Sequence, residues 1–134
     1  MILMVCIDDR GGMMFNHRRQ SMDRVLRERL LEICAGKRLH VTPYTARQFE
    51  QDAPLCVSQA PWLAAGQGEY YFAEDGEISM QNVERVYVYR WNRAYPGDRF
   101  FKVDLALLGF QLTASADFAG YSHENITEEI YSKE

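Results

Sequence analysis

The first seven residues constrain the fold more than any other part of the chain. They read Met-Ile-Leu-Met-Val-Cys-Ile, with no polar residue among them. An unbroken apolar run of this length is typical of a strand that is covered on both faces and lies centrally in a sheet, with helices on either side. The run is far shorter than the roughly 18 apolar residues that a membrane span needs. We therefore expect residues 1–7 to form the central strand of an α/β fold.

One helix is predicted after a long connection over residues 8–20. Ser21 is a candidate N-cap, and Asp23 would then lie in the first helical turn. Apolar side chains follow at helical spacing, namely Met22, Val25, Leu26, Leu30, Ile33 and Cys34. Gly36 is a residue type that commonly ends a helix. The pattern predicts an amphipathic helix between residues 21 and 35.

The rest of the chain reads as short strands separated by proline and glycine. We place strands at residues 38–42, 55–58, 69–72, 84–91, 109–115 and 125–131, with a short helix at 45–51. The spacing of Ile126 and Ile130 also permits a helix over the last of these segments. A buried first strand, one helix, short strands and a terminal hairpin predict an α/β sandwich with an antiparallel edge.

Size and charge restrict the partners. With 134 residues the chain is long enough for one domain, which we expect to span residues 1–134. Residues 1–48 carry nine Lys or Arg and five acids, whereas the remainder carries six and fourteen, and the total is −4. This acidic balance makes a nucleic-acid partner unlikely. No targeting segment is apparent, so we expect a cytoplasmic protein without a membrane span.

Local basic clusters leave a small anionic ligand open as an alternative. Arg18 and Arg19 follow Asn16 and His17 on the connection after Gly12, and such a cluster can hold a phosphate or a carboxylate. A solvated basic run is the simpler interpretation.

Metal and disulfide chemistry are not indicated. Three scattered cysteines among apolar neighbours, Cys6, Cys34 and Cys56, suit reduced thiols that contribute to packing. A metal nuclease of the ribonuclease Z class needs a His-x-His-x-Asp-His cluster and further ligands for two zinc ions. The chain has only three histidines, and none has that spacing. We predict no metal site.

Hydrolysis by an activated nucleophile is not indicated by local sequence either. There is no Gly-x-Ser-x-Gly elbow, and no cysteine is adjacent to a histidine. His123 next to Glu124 is expected in a surface turn, because adjacent residues in a strand face opposite ways.

The order of elements and several short strings resemble dihydrofolate reductase. The chain begins Met-Ile, and the connection with Gly12 and Asn16 is similar to the mobile loop over that family's active site. The string Leu-His-Val-Thr-Pro-Tyr-Thr at 39–45 resembles the family's cofactor-binding turn. Val-Ser-Gln at 57–59 resembles the end of the next strand, and Gly-Asp-Arg-Phe-Phe at 97–101 resembles the loop after its penultimate long strand.

The resemblance implies a dihydrofolate reductase-like three-layer α/β sandwich. Its sheet would be mixed and mostly parallel, with antiparallel C-terminal strands. It implies NADPH as the cofactor of any reductase activity and a small-molecule substrate. The implied catalytic residues are Asp23 and Tyr89. The implied cofactor-binding residues are Thr42, Tyr44, Thr45 and Ser58, and the implied substrate-binding residues are Val5, Cys6, Ile7, Asn16, Arg18 and Arg27.

Several departures from the family fall on its chemistry. Residues 78–83 stand where the family has a Gly-Gly pair and a helix whose N-terminus binds the cofactor phosphates. Pro43 replaces a glycine of the first phosphate turn and has no N–H to donate. Tyr89 replaces the active-site threonine, and Arg24 and Arg27 replace apolar contacts to folate. We therefore predict that NADPH-dependent folate reduction has been lost and that no cofactor is bound.

Two other functions stay open. One is a divergent NADPH-dependent reductase of a small molecule. In that case Asp23 would protonate the substrate, whereas its simpler role is to complement the helix dipole. The other is a protein-interaction module, with a homodimer joined through an exposed strand such as 69–72.

Overall fold

The computed structural model describes residues 1–75 and 78–133. The strands are β1 (Ile2–Ile7), β2 (Gly12–Phe15), β3 (Arg18–Arg19), β4 (Leu39–Val41), β5 (Leu55–Val57), β6 (Tyr70–Ala73), β7 (Arg85–Arg90), β8 (Arg99–Phe100), β9 (Phe110–Phe118) and β10 (Ile126–Lys133). The helices are α1 (Arg24–Ile33), α2 (Pro43–Ala46) and α3 (Pro61–Ala64).

Seven strands form one twisted sheet in the order β5-β4-β6-β1-β7-β10-β9. The first four pairings are parallel, and β10 then runs antiparallel to both β7 and β9. The apolar strand β1 lies in the middle, as its lack of polar alternation predicts. The mixed, mostly parallel sheet with antiparallel C-terminal strands confirms the predicted fold class.

Helix α1 covers one face of the sheet. Its buried residues Leu26 and Leu30 pack with Ile2 and Met4 of β1 in one hydrophobic core. The helix is capped by Asp23 and not by Ser21, because the Asp23 carboxylate accepts hydrogen bonds from the second and third helical N–H groups. The predicted N-cap is therefore wrong by two residues.

The cover of the opposite face differs from the prediction, which placed helices on both sides of the sheet. Leu3, Val5 and Ile7 of β1 pack there in a second core, together with Met13 and Met14 of β2. The cover consists of short helix α3, a small sheet in the order β3-β2-β8, and the loop that leads into β9. Three layers are present, but α1 is the only helix longer than four residues in the described chain.

Strands occur in all six predicted segments, with small shifts of their ends. The segment with Ile126 and Ile130 is strand β10, so the helical alternative is wrong. The predicted 45–51 helix begins earlier, at Pro43, because the Thr42 hydroxyl caps it. The 8–20 connection contains the hairpin β2–β3, whose tip residues Asn16 and His17 have φ values of 51° and 63°.

The strand predicted to join two subunits is not exposed. Residues 69–72 contribute to β6, which lies between β4 and β1, and every residue of β6 is buried. Its backbone groups are already paired on both sides, so it cannot add a strand from another chain. The sheet edges are β5 and β9 instead.

Within residues 1–75 and 78–133, no helix has the length and apolar character to span a bilayer. The same residues contain no cluster of three or more His, Cys, Asp or Glu side chains that could hold a metal ion. All three cysteines are free. Cys34 is buried, whereas Cys6 and Cys56 are partly buried.

Candidate functional site

Asp23 is the most heavily hydrogen-bonded side chain at the start of α1. Its Oδ1 accepts from the N–H groups of Val25 at 2.9 Å, Leu26 at 3.3 Å and Tyr121 at 3.0 Å. Its Oδ2 accepts from the Ser122 N–H at 2.9 Å and lies 3.2 Å from the Ser122 hydroxyl. The carboxylate thus joins the N-terminus of α1 to the β9–β10 connection, about a hundred residues later in the chain.

The same connection approaches Asp23 too closely for a side chain at position 120. A Cβ on Gly120 would lie 2.7 Å from Oδ2 of Asp23. Gly120 also closes the turn by donating its N–H to the carbonyl of His123 at 2.9 Å. Glycine is therefore required by close packing, since real Cβ atoms do not come so near.

Hydrogen bonding keeps Asp23 ionised. The side chain is fully buried, and burial alone would raise its pKa. The hydrogen bonds from the Tyr121 N–H, His123 and the Ser122 N–H outweigh that effect and hold the pKa of Asp23 far below its usual range. A carboxyl group in this state accepts hydrogen bonds well and donates a proton poorly.

His123 is the second buried polar residue of the site. It is 4% exposed, so the expectation of a surface turn is wrong. Its Nδ1 lies 2.7 Å from Oδ2 of Asp23, and its ring stacks on Trp91 with centroids 4.4 Å apart. Its Nε2 lies 2.9 Å from the Ser21 hydroxyl and 3.2 Å from that of Tyr95. Burial follows because the imidazole has a partner for each nitrogen.

Tyr89, the other implied catalytic residue, belongs to a separate cluster. Its hydroxyl donates to Oε2 of Glu128 at 2.9 Å. Arg29 donates to both oxygens of the same carboxylate, at 2.7 and 2.8 Å. Burial, and then the Glu128 charge, raise the pKa of Tyr89 strongly. The structure therefore does not join Tyr89 and Asp23 by a hydrogen bond.

Three implied cofactor-binding residues do come together. Thr42, Tyr44 and Thr45 line a cavity of about 310 Å³ at the start of α2. Its other lining residues are Met14, His17, Gln59, Trp62 and Asp75. Ser58 lies next to Gln59 in sequence but does not line this cavity. The walls combine aromatic rings with hydroxyl and amide groups.

Two buried hydroxyl groups near this cavity have no hydrogen-bond partner among the described residues. They belong to Tyr71 and Ser58. The Tyr71 ring lies 6.2 Å from that of Trp62, and its pKa is raised to about 12, first by burial and then by the charge of Asp75. Unpartnered buried hydroxyls are uncommon, and a bound water or ligand is the usual explanation.

A second depression lies beside Ser21. It measures about 400 Å³ and is lined by Phe15, Asn16, Arg18, Arg19, Gln20, Tyr95 and Pro96. Arg19 is paired with Glu74 at 2.9 Å, whereas Arg18 is exposed and makes no ion pair with a residue in the described ranges. Of the implied substrate-binding residues, Asn16 and Arg18 meet here.

The remaining implied substrate-binding residues are dispersed. Val5 and Ile7 are buried in the core opposite α1, and Cys6 packs against the core beneath α1. Burial, together with the charges of Glu74 and Asp23, raises the pKa of the Cys6 thiol well above its usual value. Arg27 is partly exposed on α1. These four side chains do not share one cavity.

Sequence reasoning missed several residues of the site, namely Ser21 as a partner of His123, and Trp62, Trp91, Tyr95 and Glu128. Their separations along the chain reach 102 residues, and no local motif marks such contacts.

A search of solved structures finds the same fold in dihydrofolate reductase. The structure of "Dihydrofolate reductase from Enterococcus faecalis complexed with NADP(H)and RAB-propyl" matches with a TM-score of 0.67 and 11% sequence identity. The match covers 98% of this chain and 94% of the other. No protein-family model and no curated protein sequence matches the chain. The chain therefore has the dihydrofolate reductase fold at a low sequence identity.

Proposed function

We propose that this protein binds a small planar ring compound and does not catalyse NADPH-dependent folate reduction. The observation that carries the proposal is the state of Asp23. Its carboxylate accepts hydrogen bonds from five N–H or O–H groups and also lies against His123. This number of partners exceeds the roughly four acceptor positions of a carboxylate. No acceptor position is left for a substrate ring, and the depressed pKa works against proton donation.

The missing phosphate-binding element supports the same conclusion. Residues 78–84 form no helix, whereas the resemblance implies a helix N-terminus there for the cofactor phosphates. Pro43, at the start of α2, has no N–H for an anion. The fold neighbour is described in complex with NADP(H), but these two differences argue against the same mode of binding here.

The cavity at Thr42 supports ligand binding. The rings of Trp62 and Tyr44 and the amide of Gln59 line it, whereas the Thr42 hydroxyl is engaged with Thr45 and one face of the Tyr44 ring is covered by Arg19. A site of aromatic walls with a few polar groups is typical of small-molecule binding. A volume of about 310 Å³ lies at the lower end of the range for small-molecule sites, which a single heterocycle or a nucleoside-sized compound suits.

Thermal melting with matched variants tests this proposal. The compounds are adenosine, AMP, dihydrofolate, NADH and NADPH. A ligand at 100 times its Kd stabilises the native state by about 2.7 kcal/mol. We expect a rise in Tm with a compound that carries one heterocyclic base, such as adenosine or AMP. The rise should be lost in Trp62→Ala and kept in Leu63→Ala, because Leu63 is 80% exposed on the same helix. A rise with NADPH alone would favour the divergent reductase, and no rise with any compound would contradict ligand binding.

A second candidate function, self-association, rests on β9. This strand is nine residues long, forms one edge of the large sheet, and carries no charged residue from 110 to 116. Leu112 on it is 52% exposed. Edge strands of monomers are usually protected by charge, proline or a bulge. β9 has one of these features, a bulge at Thr113, which is the extra residue opposite Ile130 and Tyr131 of β10.

Two copies paired through β9 across a two-fold axis would continue the sheet from one subunit into the next. Sedimentation of the native protein should then show a dimer that Leu112→Lys dissociates, whereas Leu63→Lys, an equally drastic change at an exposed leucine elsewhere, should not. A monomer across the accessible concentration range would contradict this second candidate.

A further inference from the structure

The residues around His123 form a second type of site, which does not depend on the proposed ligand cavity. Three side chains lie in one line of hydrogen bonds. Asp23 Oδ2 is 2.7 Å from His123 Nδ1, and His123 Nε2 is 2.9 Å from the Ser21 hydroxyl. This is the order carboxylate, imidazole, hydroxyl that activates a serine in unrelated hydrolases.

We propose that Ser21, His123 and Asp23 act as a nucleophilic relay that cleaves small activated esters or thioesters. The geometry assigns each nitrogen of the imidazole its role. An ionised Asp23 places the proton of neutral His123 on Nδ1, so Nε2 is left as the acceptor for the Ser21 hydroxyl proton. The stacked Trp91 ring, 4.4 Å away, fixes the plane of the imidazole.

Access differs between the three residues in the way that such a relay requires. The side chains of Asp23 and His123 are 0% and 2% exposed, so water does not compete for their hydrogen bond. Ser21 is partly exposed, at the junction between β3 and α1. Ser21 is thus accessible to a dissolved substrate, whereas the groups that activate it, Asp23 and His123, are buried.

The depression next to the relay is where a substrate would lie: its wall includes Gln20, the neighbour of Ser21 in sequence, and Tyr95, but not Ser21 itself. Its wall residue Tyr95 has its hydroxyl 3.5 Å from the Ser21 oxygen and 3.2 Å from Nε2 of His123, so Tyr95 joins the depression to the end of the relay. Arg18 on the same wall is exposed and unpaired among described residues, and Arg19 is held by Glu74. The available positive charge points to an acyl group that carries a carboxylate.

The chemical step balances without a cofactor. The Ser21 oxygen attacks the acyl carbon, its proton passes to Nε2 of His123, and the carbonyl electrons move to the oxygen. Collapse of the tetrahedral intermediate breaks the bond to the leaving alkoxide or thiolate, which takes the proton from His123. Water then attacks the acyl-serine by the same route and releases the acid and the free Ser21 hydroxyl.

Covalent labelling tests the nucleophile. A fluorophosphonate forms an oxygen–phosphorus bond with an activated serine and releases fluoride. We expect one adduct per chain, mapped to Ser21 by peptide mass spectrometry, lost in Ser21→Ala and unchanged in Ser115→Ala, an exposed serine on β9. A folded native protein without an adduct at Ser21 would overturn the proposal, and so would an adduct that persists in Ser21→Ala.

Ester hydrolysis tests the relay and the substrate class. With p-nitrophenyl acetate, Ser21→Ala should lower kcat/KM by about 10²-fold or more. Arg18→Gln should raise KM for mono-p-nitrophenyl succinate and leave that for the acetate unchanged. Equal activity of native protein and Ser21→Ala would overturn the relay, and equal KM changes for both esters would overturn the anionic substrate.

Discussion

Replacement of Asp23 by alanine should destabilise the protein severely, since Asp23 serves two parts of the fold at once. The change removes the N-cap of α1, which costs about 1 kcal/mol. It also leaves the buried Nδ1–H of His123 without its acceptor, at about 2 kcal/mol. Two partly buried N–H groups, of Tyr121 and Ser122, lose their acceptor at roughly 0.5–1 kcal/mol each.

The sum is about 4–5 kcal/mol for Asp23→Ala, which is a large part of the 5–15 kcal/mol that stabilises a typical domain. Asp23→Asn should cost about 2 kcal/mol, because asparagine caps a helix as well as aspartate but offers an N–H₂ group where one oxygen stood. Urea denaturation followed by circular dichroism measures both values.

The matched control is Asp52→Ala, since Asp52 is an exposed aspartate outside any helix and strand. Its effect should stay within about 0.5 kcal/mol. If Asp23→Ala lost no more stability than Asp52→Ala, the anchoring role of Asp23 would be refuted, and the carboxylate would be free for another task.

Three further outcomes follow from the same contacts. Because the pKa of Asp23 is depressed in the folded state, the ionised carboxylate contributes fully to the free energy of unfolding above about pH 4, and this contribution is lost as the pH falls below that value. Urea denaturation should therefore show that the stability advantage of the native protein over Asp23→Asn becomes smaller in acid. Burial raises the pKa of Cys34 to about 12, so a thiol reagent at pH 8 should modify the partly exposed Cys56 first, as peptide mapping would show. Tyr89→Phe should lower the free energy of unfolding by about 1 kcal/mol and Glu128→Ala by about 2–3 kcal/mol, because only the latter leaves buried donors without an acceptor. Thermal unfolding measures both values, and similar losses would contradict the Tyr89–Glu128 contact.

The strands of the large sheet were predictable because they carry strong local patterns. The apolar run that begins at Ile2 requires a covered central strand, and the segments that became β7, β9 and β10 alternate or lie between clear turns. Helix starts shifted by a few residues because caps decide them. Asp23 and Thr42 cap α1 and α2 through side-chain hydrogen bonds that a periodic pattern does not contain.

The cover of the second face was not predictable in the same way. Met13 and Met14 belong to a short hairpin that is buried because it packs against residues distant in sequence. Its own sequence has no hydrophobic periodicity that would indicate this burial. The connection there was expected to be a loop because Gly11 and Gly12 precede it. Short strands of two to four residues have too few positions for alternation to appear.

The candidate site was predicted in composition but not in geometry. Asp23 was singled out from the sequence as a candidate catalytic residue, and that role stays a prediction. Its hydrogen-bond partners on the β9–β10 connection lie about a hundred residues away and follow from the way β9 and β10 return to α1. His123 has a charged neighbour in Glu124 and therefore resembles a surface residue in sequence. Only the fold shows that its two nitrogens are both engaged.

The measurement that tests the central claim most directly is the oxidation of NADPH at 340 nm in the presence of dihydrofolate. With Asp23 committed to the helix cap, the Ser122 N–H and His123, we expect no dihydrofolate-dependent rate above that of NADPH alone. A dihydrofolate-dependent rate that Asp23→Asn abolishes, in a variant shown to be folded, would contradict the account and establish a divergent reductase.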